Sequence, residues 1–323
     1  MKNILTYIEI KDAAPIKLSL ESLSKASELA KEKGGKSIAL IAFELADGEL
    51  AKLKAAGAEE IVLVKREAYN MEDFANIIVE VSKKYNCEDI FIPGSLDGKD
   101  LAPYAAASLD TVSITNVMDI KFEGEDVIYV TPSYGATVLT ESKIEKAPRI
   151  VVVRAGSFDK RDDLNGAGNL VEENIDEVKD LKAVIKDIVT SNEGLINLED
   201  APIIVTCGRG ASSDEIFPLV KELADVFDAP ISGTRPVIDD GVLPKASQIG
   251  QSGKIVAPAL YIGCGVSGAV QHVSGIENSN FIVAINKDED APIFNIADIG
   301  IVGDCKQVLP LLIEEVKKIK ANA

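Results

Sequence analysis

Three glycines at G-x-G-x-x-G spacing, Gly263, Gly265 and Gly268, lie within the run ALYIGCGVSGAVQH from Ala259 to His272. Glycines so placed let a chain turn tightly after a strand and bring backbone N–H groups up to a pyrophosphate, whose charge is met by a helix start. The apolar stretch from Ala259 to Ile262 supplies the strand, and a helix is predicted to begin near Ser267. The chemistry indicated is dinucleotide binding. The spacing alone fits an ordinary glycine-rich strand–helix turn equally well.

Other residues of useful type cluster in the same half. Arg209 follows a predicted strand within CGRG, at what would be the carboxyl edge of a sheet. A guanidinium there can fork onto phosphate oxygens, or it can be a plain turn arginine. Arg235 sits between Gly233 and Pro236, so a loop that presents it outward is predicted. The stretch Gln248-Ile249-Gly250-Gln251-Ser252-Gly253 combines glycines with small polar groups, which suits a loop laid along a flat ring or a simple polar turn. Asp288 lies about twenty residues past Gly268, where an NAD-binding fold keeps its ribose-binding acid.

The chain has 323 residues, 46% hydrophobic and 27% charged, which suits a globular protein with more than one core. A net charge of −18 argues against nucleic acid and acidic membrane surfaces as partners. The part from residue 201 onward is the less acidic. No apolar run approaches the roughly 20 residues that span a bilayer, so no membrane insertion is expected. The start, MKNILTYIEI, has neither the apolar core of a secretion signal nor the character of a mitochondrial presequence, so a cytoplasmic, bacterial protein is expected.

Cys87, Cys207, Cys264 and Cys305 form no C-x-x-C pair, and His272 is the single histidine, so zinc and iron–sulfur sites lack their usual ligand sets. There is no G-x-S-x-G elbow, no P-loop and no base paired with a nucleophile. This chain alone is not expected to transform a substrate.

The elements that would position these residues alternate. Strands are predicted at 4–10, 37–43, 61–64 and 89–92, with helices at 19–33, 48–56, 71–85 and 101–108 between and after them. A β-rich stretch follows from Thr111 to Val153, then polar, turn-rich sequence over 156–174. A second alternation opens at Ile203, with strands at 203–206, 259–262 and 281–285 and helices at 214–227, after Gly268 and at 306–320. Ser191 to Pro202 is short, polar and aperiodic, which predicts a hinge. The expected fold is therefore α/β in two domains, 1–190 and 203–323, joined by the linker 191–202, each a mainly parallel sheet flanked by helices.

Four motifs in order, CGRG at 207–210, GTRPVIDDG at 233–241, QIGQSGKIVAPALYIGCGVSGAVQH at 248–272 and AINKDEDAPIFNIADIGIVGD at 284–304, resemble the C-terminal domain of electron transfer flavoprotein alpha subunits. The first half is similar to that family only in general pattern, PGSLDGKDLAP at 93–103 being its most distinctive piece. The resemblance implies a Rossmann-like domain holding FAD. It implies a phosphate grip by the backbone from Gly265 through Gln271, with the Ser267 hydroxyl as an extra donor, FAD contacts on Ser267, Gly268, Ala269, Val270, Gln271 and His272, and Arg209 as a further contact. It places Thr234 and Arg235 by the flavin ring and lays Gln248, Ile249, Gly250, Gln251 and Ser252 along it, with the Ser252 hydroxyl as donor to flavin N5. His272 would donate at the pyrimidine edge, and Asn286, Asp304 and Cys305 would hold the adenosine half. Fixed positive charge near that ring favours electron arrival, because reduction adds negative charge.

The implied activity is that of an electron carrier. Its partners would be a beta subunit bound through the first domain, and acyl-CoA dehydrogenase-type flavoenzymes or NADH as electron sources. Electron bifurcation, with a second FAD on the beta subunit, is the alternative within the family. An NAD-dependent enzyme is the alternative of another class.

Overall fold

In the computed structural model, which describes residues 2–123, 126–185 and 198–321, the chain divides into two units, Met1–Val189 and Thr190–Ala323. In the first unit β1 (Asn3–Tyr7) is followed by the small hairpin of β2 (Ile10–Lys11) and β3 (Ala14–Pro15). Then come α1 (Lys17–Glu32), β4 (Ser37–Ile41), α2 (Asp47–Ala55), β5 (Glu60–Leu63), α3 (Met71–Lys84), β6 (Cys87–Pro93) and α4 (Leu96–Ser108). The β-rich stretch resolves into β7 (Ser113–Val117), β8 (Asp119–Glu123), β9 (Asp126–Ser133), β10 (Val138–Lys143) and β11 (Arg149–Val153), with β12 (Asn169–Glu172) beyond it.

Seven of these strands form a parallel sheet in the order β12-β5-β4-β1-β6-β11-β7. Its central strands are mostly apolar because both faces are covered. Leu5, Leu40, Ile90 and Val152 pack on one side with residues of α3 and α4. Ile4, Phe91 and Val151 pack on the other, with α1 and the antiparallel sheet β10-β9-β8. Helix α4 begins five residues before its predicted start. Ser95 caps it by accepting the Gly98 N–H at 2.9 Å, and Pro103 lies inside it.

One buried cluster ties this unit together. Asp89, fully buried on β6, accepts from Arg149 Nε at 2.6 Å, Lys33 Nζ at 2.8 Å and the Tyr129 hydroxyl at 2.8 Å. Burial alone would raise the Asp89 carboxyl, but the Arg149 hydrogen bond and the Lys33 charge outweigh it and hold it below the usual carboxylate range.

The second unit runs β13 (Ile203–Cys207), α5 (Phe217–Phe227), β14 (Ile231–Gly233), α6 (Arg235–Asp239), β15 (Leu260–Cys264), α7 (Val270–Val273), β16 (Ile282–Asn286), β17 (Ile299–Val302) and α8 (Cys305–Ala321). Its sheet is parallel throughout in the order β14-β13-β15-β16-β17. Successive residues alternate between faces. Val205, Ile262 and Ile285 meet the long helices α5 and α8, while Ile204, Tyr261 and Ala284 meet a cover made mostly of loops.

Of the predicted hinge, residues 191–197 lie outside the described residues. The end of that span is not linker: Leu198 is fully buried in the loop-covered core with Ile204 and Tyr261, and Ala201 packs against it. Among the described residues no helix is long and apolar enough to cross a membrane.

Candidate cofactor-binding site

The order of the five-stranded sheet reverses direction between β13 and β15, the point at which ligands settle in open α/β sheets, outside the carboxyl ends of the strands. The loops leaving those two strands are stitched together. Gly208 N–H donates to the Cys264 carbonyl at 2.8 Å and Gly210 N–H to the Gly265 carbonyl at 3.1 Å. Arg209 stands exposed on the 3-10 turn Arg209–Ala211 at this seam.

The glycine spacing has a local cause. Gly265 (φ +63°) and Gly268 (φ +86°) are in the left-handed region, and a Cβ on them would come 2.6 Å from the Ala211 nitrogen and 2.2 Å from the Ile293 nitrogen. The glycines thus admit neighbouring loops as well as a tight turn. The predicted helix near Ser267 is also corrected: Ala269 is its N-cap and α7 is a single turn. A helix this short has little dipole to offer. What it leaves is a row of donors. Among the described residues the backbone N–H groups of Ser267, Gly268, Ala269, Val270 and Gln271 find no acceptor, and all but Gly268 belong to exposed residues. Consecutive unpaired amides at a strand–helix turn are groups that can receive an anion.

A second loop lies beside this row. Gln251 N–H donates to the Gln271 carbonyl at 2.7 Å, and Ile249 N–H to the Gly233 carbonyl at 3.1 Å. The loop closes on itself through Lys254 N–H to the Gln248 carbonyl at 2.8 Å and Gly250 N–H to the Lys254 carbonyl at 3.0 Å. Gln248 and Ile249 are buried, while Gln251 and Ser252 are exposed. Gln248 Nε2 donates to Ser252 Oγ at 2.9 Å, and Lys245 Nζ donates to Gln248 Oε1.

His272 departs from its expected role. It is buried, its Nδ1 lies 3.1 Å from the Ile249 carbonyl and its Nε2 lies 2.8 Å from the Tyr261 hydroxyl. A carbonyl only accepts, so Nδ1 carries the proton and Nε2 takes the tyrosine's. Desolvation pushes the imidazole pKa down to about 4, so the ring is neutral at pH 7. With both nitrogens engaged, no donor remains for a ligand; His272 instead fixes Ile249 and hence the second loop.

The three residues expected on the adenosine side each have contacts within the chain. Asn286 donates from Nδ2 to the Val266 carbonyl at 2.8 Å and accepts the Asp288 N–H at 3.1 Å, so its amide braces the β15 and β16 loops. The Cys305 side chain is buried in the core with Cys207 and Cys264 and does not face a ligand. Asp304 is exposed and accepts the Lys306 N–H at 2.9 Å, which caps α8. Thr234 is buried ahead of α6, and Arg235 is exposed, with Nε 3.4 Å from Asp239.

The structure therefore brings Arg209, Gly265 to Gln271 and the loop 248–252 to one sheet edge. Sequence reasoning missed Lys245 and Tyr261, whose partners become neighbours only through loop packing. No cluster of three His, Cys, Asp or Glu side chains among the described residues is set to hold a metal.

Residues 4–179 match the electron transfer flavoprotein domain, and residues 197–277 match the electron transfer flavoprotein FAD-binding domain. The chain is 36% identical to the electron transfer flavoprotein subunit alpha of Thermoanaerobacterium thermosaccharolyticum over 99% of both chains. It is 34% identical to the subunit alpha of Bacillus subtilis over 100% of this chain and 99% of that one. A further relative, 29% identical over 99% of this chain and 96% of its own, is the acryloyl-CoA reductase electron transfer subunit beta of Anaerotignum propionicum.

Proposed function

The chain belongs to the electron transfer flavoprotein alpha-subunit family, which binds FAD and pairs with a beta subunit, and on that premise we propose that its second unit holds FAD along the carboxyl edge of its sheet. The observation that carries this reading is the run of unpaired N–H groups from Ser267 to Gln271 at the switch point, with the Arg209 guanidinium beside the same seam. Five backbone donors and a fixed cation match a pyrophosphate and need no change of fold to meet it. The loop 248–252, held by Gln271, Gly233 and His272, supplies a rigid surface with the Ser252 hydroxyl exposed on it. Bound FAD supplies reversible one- and two-electron chemistry. The chain's part is to grip the phosphates, fix the ring-side loop and set the charge around it.

On this reading the protein is a carrier, fed by acyl-CoA dehydrogenase-type flavoenzymes or NADH. The acryloyl-CoA reductase component among its relatives favours acyl-CoA chemistry. Co-purification with the beta subunit tests the assignment: the complex should be yellow, and Arg209→Gln should weaken FAD binding by roughly tenfold, the scale of one charged hydrogen bond. A colourless complex that takes up no added FAD would overturn it. One flavin per heterodimer would indicate a plain carrier, and two a bifurcating one.

A further inference from the structure

Lys245 lies outside every motif discussed above, on the 3-10 turn Lys245–Ser247 that leads into the ring-side loop. We propose that Lys245 is a positioning residue that dictates which way the Ser252 hydroxyl donates, and so tunes the electron affinity of the flavin that this loop faces. This rests on the reading just given for the second unit.

Three side chains, Lys245, Gln248 and Ser252, form a chain of donors and acceptors. Gln248 is almost fully buried, and its amide has one end that accepts and one that donates. An ammonium can only donate, and Lys245 Nζ sits against Gln248 Oε1 with the Ser252 carbonyl 3.4 Å away. The amide is thereby oriented, with Nε2 turned to Ser252 Oγ at 2.9 Å. Since Nε2 can only donate, Ser252 must accept, and its own proton is left for an acceptor on the exposed side of the loop. A residue at 245 that cannot donate frees the amide to flip. Oε1 would then draw in the Ser252 proton and the loop would present no hydroxyl donor.

The loop's backbone does not depend on this relay. Its frame is the set of bonds Lys254 N–H to Gln248 O, Gly250 N–H to Lys254 O and Gln251 N–H to Gln271 O. Lys245 itself is exposed, so its replacement should leave the fold intact. Donor polarity can therefore be altered without moving the chain.

The test is potentiometry and visible spectroscopy of the complex with its beta subunit, on Lys245→Met, Lys245→Arg, Ser252→Ala and the Lys245→Met/Ser252→Ala double variant. Lys245→Met should shift the one-electron equilibrium toward oxidised flavin by about tenfold, or about 59 mV, at unchanged FAD content. Ser252→Ala should shift it by a similar factor, Lys245→Arg should restore the parent value, and the double variant should show no more than either single change. A shift with Ser252→Ala but none with Lys245→Met would overturn the relay and leave the flavin assignment standing. Additive shifts in the double variant would show the lysine acting by charge alone and would also overturn it. No shift with Ser252→Ala would remove both the relay and the placement of the ring on this loop, whereas a complex without FAD would remove the wider reading.

Discussion

The two units handle polar groups in opposite ways. In the first, the strong charges turn inward: Asp89 is fully buried and shared among Lys33, Arg149 and Tyr129. The Arg66 guanidinium is spent in the same manner on Asp73 at 2.6 Å and the Ile175 carbonyl at 2.9 Å. In the second, donors turn outward: Arg209 is exposed, and five consecutive amides from Ser267 have no acceptor among the described residues. Satisfied polar clusters rigidify a scaffold, while unsatisfied donors at a sheet edge need a ligand or water. The same α/β plan thus gives a self-sufficient unit and a receptive one.

The largest effect that would sharpen this contrast is at Asp89. Asp89→Ala takes the shared acceptor from the part-buried Lys33 and Arg149, leaves the buried Tyr129 hydroxyl unpaired and should destabilise the first unit by about 3–5 kcal/mol, read by amide exchange in β1 and β6. FAD content per folded molecule should not change. The carboxyl is held below its usual range, so its contribution is complete above the unfolded pKa of about 3.9 and lost as pH falls through the lower folded value. Asp89→Ala at parent stability would show that the cluster is not what holds the unit together.

A smaller effect is expected at His272, a buried titratable group of the receptive unit. Its pKa is about 4 when folded against about 6.5 when unfolded, so the unfolded chain takes up the proton first. Its stabilising contribution is therefore full above pH 6.5 and lost at about 1.4 kcal/mol per pH unit down to about pH 4. Amide exchange in β13 and β15 across that range should show the slope, and His272→Gln should flatten it. An equal slope in the variant would mean that the imidazole is not held neutral between Tyr261 and Ile249.

Much of the architecture was legible in the sequence, for reasons that these units make plain. Buried parallel strands such as β4, β6 and β13, read at 37–43, 89–92 and 203–206, stand out as short, mostly apolar runs because both faces are covered. Strands β12 and β17 did not, since each is a four-residue edge strand with mostly exposed side chains. The helix start at Leu96 was hidden by Gly98, a poor helix former that the first turn of α4 tolerates. Within the site, the glycines and Arg209 were readable because their signal is local. The Tyr261–His272 and Lys245–Gln248–Ser252 contacts were not read, because residue type alone does not say which loops meet or which end of an amide faces a neighbour. A lone histidine in a ligand motif was read as a ligand contact, and burial made it a brace.

The central claim is that the amides from Ser267 to Gln271 are the phosphate grip. Amide hydrogen exchange of the complex with its beta subunit, measured with and without FAD, tests it most directly. The account predicts that these five amides exchange quickly in the FAD-free complex and become strongly protected when FAD binds, while the amides of β1 and β6 around the Asp89 cluster stay as they were. FAD bound at full occupancy with these five amides still exchanging at their FAD-free rate would contradict it.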